Sequence, residues 1–179
     1  IKEGKVIVCP TDTIYGFLSD ATSRKAVERI FKIKKRPKNK PIPIFVKDIK
    51  MAKRLAEIDK KQEKFLRLSW PGKITAVLKR KTEIRGFGVS KKTIGLRIPK
   101  YKLVTDIVKA FGKPITSTSA NASYKKRPYK VSDILTNIGP KQKGLIDLII
   151  DAGELPKNEP STVVDTTLDD TVILRQGDI

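Results

Sequence analysis

The stretch Pro114-Ile115-Thr116-Ser117-Thr118-Ser119-Ala120-Asn121 sets four hydroxyls and one amide within eight residues. Such side chains combine donors and acceptors, so the segment reads as a surface for a polar ligand as well as a turn that satisfies its own backbone. Three further polar patches, Pro10-Thr11-Asp12-Thr13, Lys34-Lys35-Arg36-Pro37 and Pro160-Ser161-Thr162, border β-prone runs or a helix end. Brought together, they would join cations to hydroxyls. Lys34, Arg36, Lys40, Arg97, Arg127 and Arg175 are candidates for phosphate, arginine by bidentate hydrogen bonding and lysine as a point charge. Thr13, Ser117 and Ser161 would suit a zwitterionic small molecule, with Arg97 holding its carboxylate.

Other chemistries are excluded by composition. The chain has no histidine, which removes histidine triads, histidine general bases and most zinc sites. Its one cysteine, Cys9, ends the run Val6-Ile7-Val8 and reads as a small buried apolar residue rather than a nucleophile. Neither G-x-x-x-x-G-K-[ST] nor G-x-G-x-x-G occurs, so phosphate would have to be met by side-chain cations and backbone amides. No residues are assigned to a protein metal site. Thirty-nine Lys and Arg against 19 Asp and Glu give +20, which points to an anionic partner, nucleotide phosphates or nucleic acid. Aromatic residues make up 6%, too few for stacking to be the main mode of nucleic-acid binding.

The elements that must position these groups can be read in order. Gly4 to Pro10 predicts a buried strand, followed by a polar turn in which Gly16 is free to take a positive φ. Ser23 predicts the N-cap of a helix that ends at Pro37. Pro43 to Val46 predicts a short strand, Asp48 caps a helix to about Ile58, and Asp59 caps another to Leu68. Ile74 to Leu78 and Thr93 to Pro99 read as strands, joined by a basic, glycine-containing loop, Lys79 to Lys92, that is a candidate lid. A helix from Leu103 to Phe111 stops at Gly112, and Ser132 caps a short helix ending near Gly139. Leu145 to Ile150, Pro160 to Asp165 and Thr171 to Leu174 complete the strands. This irregular alternation predicts one α/β domain over residues 1–179, with a twisted mixed parallel/antiparallel sheet and helices on its faces. No apolar run approaches the roughly 20 residues of a membrane span and no signal-peptide pattern opens the chain. A cytoplasmic protein is expected.

Five motifs in order carry a resemblance: Val8 to Gly16, Lys34 to Pro37, Ser119-Ala120-Asn121, Pro160 to Asp165, and Leu174 to Gly177. Along essentially the whole chain they resemble the YrdC-type threonylcarbamoyl-AMP synthase family, in its short single-domain form, which implies a large basic cavity. The resemblance implies a nucleotidyltransferase that condenses L-threonine, bicarbonate and ATP into threonylcarbamoyl-AMP and pyrophosphate, assisted by Mg²⁺. The product would feed a downstream transferase complex that makes threonylcarbamoyladenosine in tRNA. It implies a catalytic tetrad of Lys34, Arg36, Ser119 and Asn121. ATP would meet Arg36, Lys40, Thr93, Ser119, Arg127 and Arg175, and threonine would meet Thr13, Arg97, Ser117 and Ser161.

The chain departs from the family pattern at Phe45, where a histidine usually lies at the amino-acid end of the pocket. Two other readings therefore stand beside the synthase: a non-catalytic basic module that binds double-stranded RNA or tRNA, and a related carbamoyl-adenylate-forming enzyme with another acceptor.

Overall fold

The computed structural model describes residues 1–81 and 88–179. Part of the expected lid, residues 82–87, lies outside them. The apolar runs pair in mixed directions, as expected, but in two hydrogen-bonded sheets. In the smaller sheet, Ile7–Cys9 (β1) runs parallel to Leu148–Ile149 (β8) and antiparallel to Gly16–Leu18 (β2). Thr118–Ser119 (β7) continues it as the antiparallel neighbour of β2. The larger sheet runs from Val172–Arg175 (β10) through Thr162–Asp165 (β9), Ile74–Lys79 (β4), Thr93–Arg97 (β5) and Ile44–Phe45 (β3) to Ile115–Thr116 (β6). Here β4 is parallel to β9 and β3 to β5, while the other pairs are antiparallel.

The hydroxyl-rich stretch is the seam between the sheets. Ile115 and Thr116 pair with β3; two residues later Thr118 and Ser119 pair with β2. Between them Ser117 donates its N–H to Pro43 O at 2.7 Å, and just beyond, Ala120 donates to Tyr15 O at 2.8 Å. Strand pairing thus satisfies this backbone, so the side chains of Ser117 and Ser119 are not spent on turns.

The helices begin where short polar side chains can accept orphan N–H groups. Ser23 accepts from Ala26 N to open Arg24–Lys34 (α1), and Asp48 accepts from Met51 N to open Ile49–Leu55 (α2). Asp59 and Gln62 form a reciprocal capping box at Lys60–Ser69 (α3). Lys102–Phe111 (α4) closes on Gly112 at φ 73°, a left-handed turn that glycine adopts without strain. Val131–Asn137 (α5) departs from expectation: Ser132 lies inside it, and the Asp133 carboxylate accepts from Tyr129 N and Lys130 N instead. Pro140–Lys143 (α6) follows.

Gly16 also differs from expectation. It lies in β2 and not at positive φ. A Cβ there would sit 3.3 Å from Thr118 O, so the residue serves the close approach of β7. The predicted Leu145–Ile150 strand is shortened to β8, and the helix after Asp48 stops at Leu55. Burial closes the assembly. Ile30 and Ile33 of α1 pack with Val6, Val8, Phe17 and Ala120, each fully buried large apolar side chain contributing about 1.5–3 kcal/mol. That packing presses the C-terminal end of α1, with Lys34, against the seam.

Candidate active site

At the seam the two sheets enclose a cleft of about 410 Å³. Its walls are the 11–16 turn, β3, β4, β5, the seam, the start of β9 and the end of β10. The described lining residues include four arginines, Arg36, Arg97, Arg127 and Arg175, and no carboxylate. A cleft of this composition attracts anions.

Lys34 lies behind the wall, 2% exposed. Its Nζ donates to Ser119 O at 2.5 Å and Asn121 O at 2.8 Å, with Ser119 Oγ at 3.3 Å and Asn121 Oδ1 at 3.2 Å. A buried ammonium is costly unless oxygens surround it, and these four do. Burial first, then the charge of Arg36, pulls its pKa down to about 7. Ser119 Oγ donates to Asn121 Oδ1 at 2.6 Å. The Asn121 amide nitrogen donates to Lys125 O and Lys126 O, which holds Oδ1 toward Lys34. Arg36 completes this expected cluster from the cleft side, its Nε and Nη2 donating to Lys40 O and Pro41 O at 3.0 and 2.7 Å. Three of the four residues are thus directly bonded to one another, and the fourth faces the space they border.

Among the nucleotide candidates, Arg36, Thr93, Ser119, Arg127 and Arg175 line the cleft, whereas Lys40 is outside the lining and bonds Tyr124 Oη. Arg127 is paired with Glu159 across an exposed contact. Arg175 Nη2 donates to Ser161 O at 2.6 Å and lies 3.3 Å from Ser161 Oγ. Arg36 and Arg175 are therefore held by neutral oxygens and keep their charge for a ligand.

The threonine candidates Thr13, Arg97, Ser117 and Ser161 all line the same cleft. Thr11 Oγ1 shapes the turn that presents Thr13, accepting from Thr13 N and Ile14 N and donating to Ile14 O. Arg97 is 3% exposed, its Nη2 2.8 Å from Asp12 Oδ1 and its Nε donating to Gly72 O at 2.8 Å. Its charge is already met. Phe45, 2% exposed, forms the neighbouring wall with its ring centre 5.9 Å from the Arg97 guanidinium carbon.

Sequence reading missed Thr75. This buried threonine on β4 lines the cleft with Oγ1 2.9 Å from Ser161 Oγ. The available signal was a hydroxyl inside the apolar run Ile74 to Leu78, since a buried polar side chain calls for a partner. Cys9 is fully buried, its thiol pushed up to about 12 by desolvation, so it stays protonated as expected. Among the described residues, no group of three or more His, Cys, Asp or Glu is placed to hold a metal. The donor set does not fit a protein-held Mg²⁺, and the charge facing the cleft is that of a polyanion's host.

Comparison with known proteins bears on the family and the fold. The family model Sua5_yciO_yrdC, described as telomere recombination, matches residues 1–177. A Pyrococcus abyssi protein named threonylcarbamoyl-AMP synthase is 33% identical over 179 residues, covering 99% of this chain and 52% of the relative. The crystal structure of P. abyssi Sua5 complexed with L-threonine superposes with a TM-score of 0.89 at 33% identity, over 99% of this chain and 52% of that one. Escherichia coli YciO superposes with a TM-score of 0.85 at 27% identity, over 99% of this chain and 85% of that one. The chain spans about half the length of the Pyrococcus protein and most of YciO. Among the described residues, no helix is long and apolar enough to cross a membrane.

Proposed function

The chain belongs to the Sua5/YciO/YrdC family, and from that membership and its cleft we propose an L-threonylcarbamoyladenylate synthase acting on L-threonine, bicarbonate and ATP. The observation that carries the reading is the convergence on one cleft of four arginines, no lining carboxylate among the described residues, and the Lys34–Ser119–Asn121 cluster.

In this reading the threonine nitrogen bonds to the bicarbonate-derived carbon with loss of water, giving a carbamate. A carbamate oxygen then attacks the α-phosphorus of ATP as the bond to the β-phosphate breaks and pyrophosphate leaves. No side-chain nucleophile is required. The residues supply charge neutralisation and placement of two poor reactants. Arg36 and Arg175 would take phosphate oxygens, with Lys40, Thr93, Ser119 and Arg127 along the same nucleotide. Lys34 and Asn121 hold the Ser119 segment rigid behind the reacting phosphate. Thr13, Ser117 and Ser161 would orient threonine. Arg97, neutralised by Asp12, would shape that end together with Phe45 rather than supply a free charge. Mg²⁺ would arrive with the triphosphate, and no step is assigned to it. The product would serve threonylcarbamoyladenosine formation in tRNA, in the cytoplasm.

The test is pyrophosphate release from ATP with bicarbonate and L-threonine added separately. Release that requires both supports the synthase, and Arg36→Ala or Lys34→Ala should abolish it. Turnover unchanged in both variants would remove the tetrad. ATP binding with no response to threonine would point to another acceptor at the Phe45 end.

A further inference from the structure

Tyr124 is an 82% exposed aromatic whose backbone sits at φ 67°. The left-handed region costs a residue with a Cβ about 1–2 kcal/mol, and glycine would adopt it freely. Strain kept in a solvent-exposed side chain points to function rather than packing. The ring lies at a defined place. Arg36 lines the cleft and is tied to the Lys40 carbonyl, while the Lys40 ammonium donates to Tyr124 Oη at 2.5 Å and lies 4.5 Å from the ring centre. On the other side, Ser119 lines the cleft five residues earlier, and Asn121 between them is pinned to Lys125 O and Lys126 O. The ring therefore stands beside the Arg36 end of the cleft, fixed by a cation and with most of its surface open.

We propose that Tyr124 is a stacking platform for the purine base of the nucleotide whose phosphates the cleft arginines hold. The inference rests on the synthase reading and adds the base-binding group that reading lacks. A purine is a flat π-surface that a phenol ring can cover, and a base stacked there would leave its phosphates running toward Arg36. Lys40 then acts from both sides: it fixes the ring and adds charge near the phosphates.

Calorimetric titration of the whole chain with ATP and with inorganic tripolyphosphate tests this, using the parent, Tyr124→Gly and Tyr124→Phe, with thermal melting to show that each is folded. Tyr124→Gly should weaken ATP roughly tenfold, the scale of one lost base–aromatic stack. It should leave tripolyphosphate unchanged, and Tyr124→Phe should bind ATP like the parent. Equal ATP affinity in parent and Tyr124→Gly overturns the platform alone. An equal loss for ATP and tripolyphosphate also overturns it, because the residue would then act through Lys40 or Arg36. Unchanged ATP affinity with weakened binding of a tRNA probe would assign the ring to RNA and overturn it as well. A parent that binds tripolyphosphate but gains nothing from the nucleoside overturns the platform and the synthase together.

Discussion

Lys34 and Asn121, 87 positions apart, meet through two hydrogen bonds from one ammonium: to the backbone oxygen at 2.8 Å and the side-chain oxygen at 3.2 Å. The contact ties the end of α1 to the seam between the sheets. It also makes the site and the fold share a single buried amine.

That charge has a pH signature. The Lys34 pKa is lowered from 10.5 to about 7 in the folded chain, so between those values the unfolded chain binds more protons. Stability then rises with pH from about 7 to 10.5, by at most about 1.4 kcal/mol per pH unit. Urea unfolding of the parent at pH 7.5 and 9.5 should show this rise, and Lys34→Met should lack it. Equal slopes for the two proteins would contradict the assignment.

Asp12 and Arg97 form a buried pair with side chains 7% and 3% exposed. Breaking such a pair from one side costs about 3–5 kcal/mol, because the remaining charge stays buried. Asp12→Ala should lose that much in chemical denaturation. Asp12→Ala combined with Arg97→Met should recover part of it, a non-additivity that a double-mutant cycle reads directly.

Thr75→Val keeps the shape of the β4 side chain and removes the hydroxyl bonded to Ser161. The KM for threonine should rise about tenfold or more, the scale of one lost hydrogen bond plus a partner left unpaired. ATP affinity should hold. Steady-state kinetics with each substrate varied in turn distinguishes this from a general loss of folding, which would lower kcat and leave both KM values unchanged.

Gly177 is next to the Pro160 carbonyl, where a Cβ would overlap the oxygen and crowd Ser161. Gly177→Ala must shift the segment that carries Ser161 and anchors Arg175. A melting temperature lowered by several degrees, as about 1–2 kcal/mol produces in a chain of this size, should accompany weakened threonine binding. An alanine variant with parent-like threonine affinity would show that Ser161 is not the affected group.

How much could be read in advance follows from the range of the forces involved. Ser23, Asp48 and Asp59 were legible as caps because each accepts from the N–H three residues on. Ser132 misled because the helix opens two residues before it, at Lys130, whose N–H is met by the Asp133 carboxylate reaching back. Gly16 was legible as special, but for the wrong reason: its constraint comes from Thr118, across the sheet, and not from its own φ.

By itself, the sequence determined the chemistry available to this protein. Without histidine, and with its one cysteine in an apolar run, its chemistry had to run on cations, hydroxyls, carboxylates, amides or a bound metal, and adenylate formation entered through the family that the ordered motifs resemble. Tertiary structure alone decided which of those groups stay free for a ligand. Arg97, by type a partner for a carboxylate, lies against Asp12, and Thr75, inside an apolar run, shares its hydroxyl with Ser161, 86 positions away. A side chain's type is local, but its desolvation and its neutralisation are set by whatever the fold brings against it.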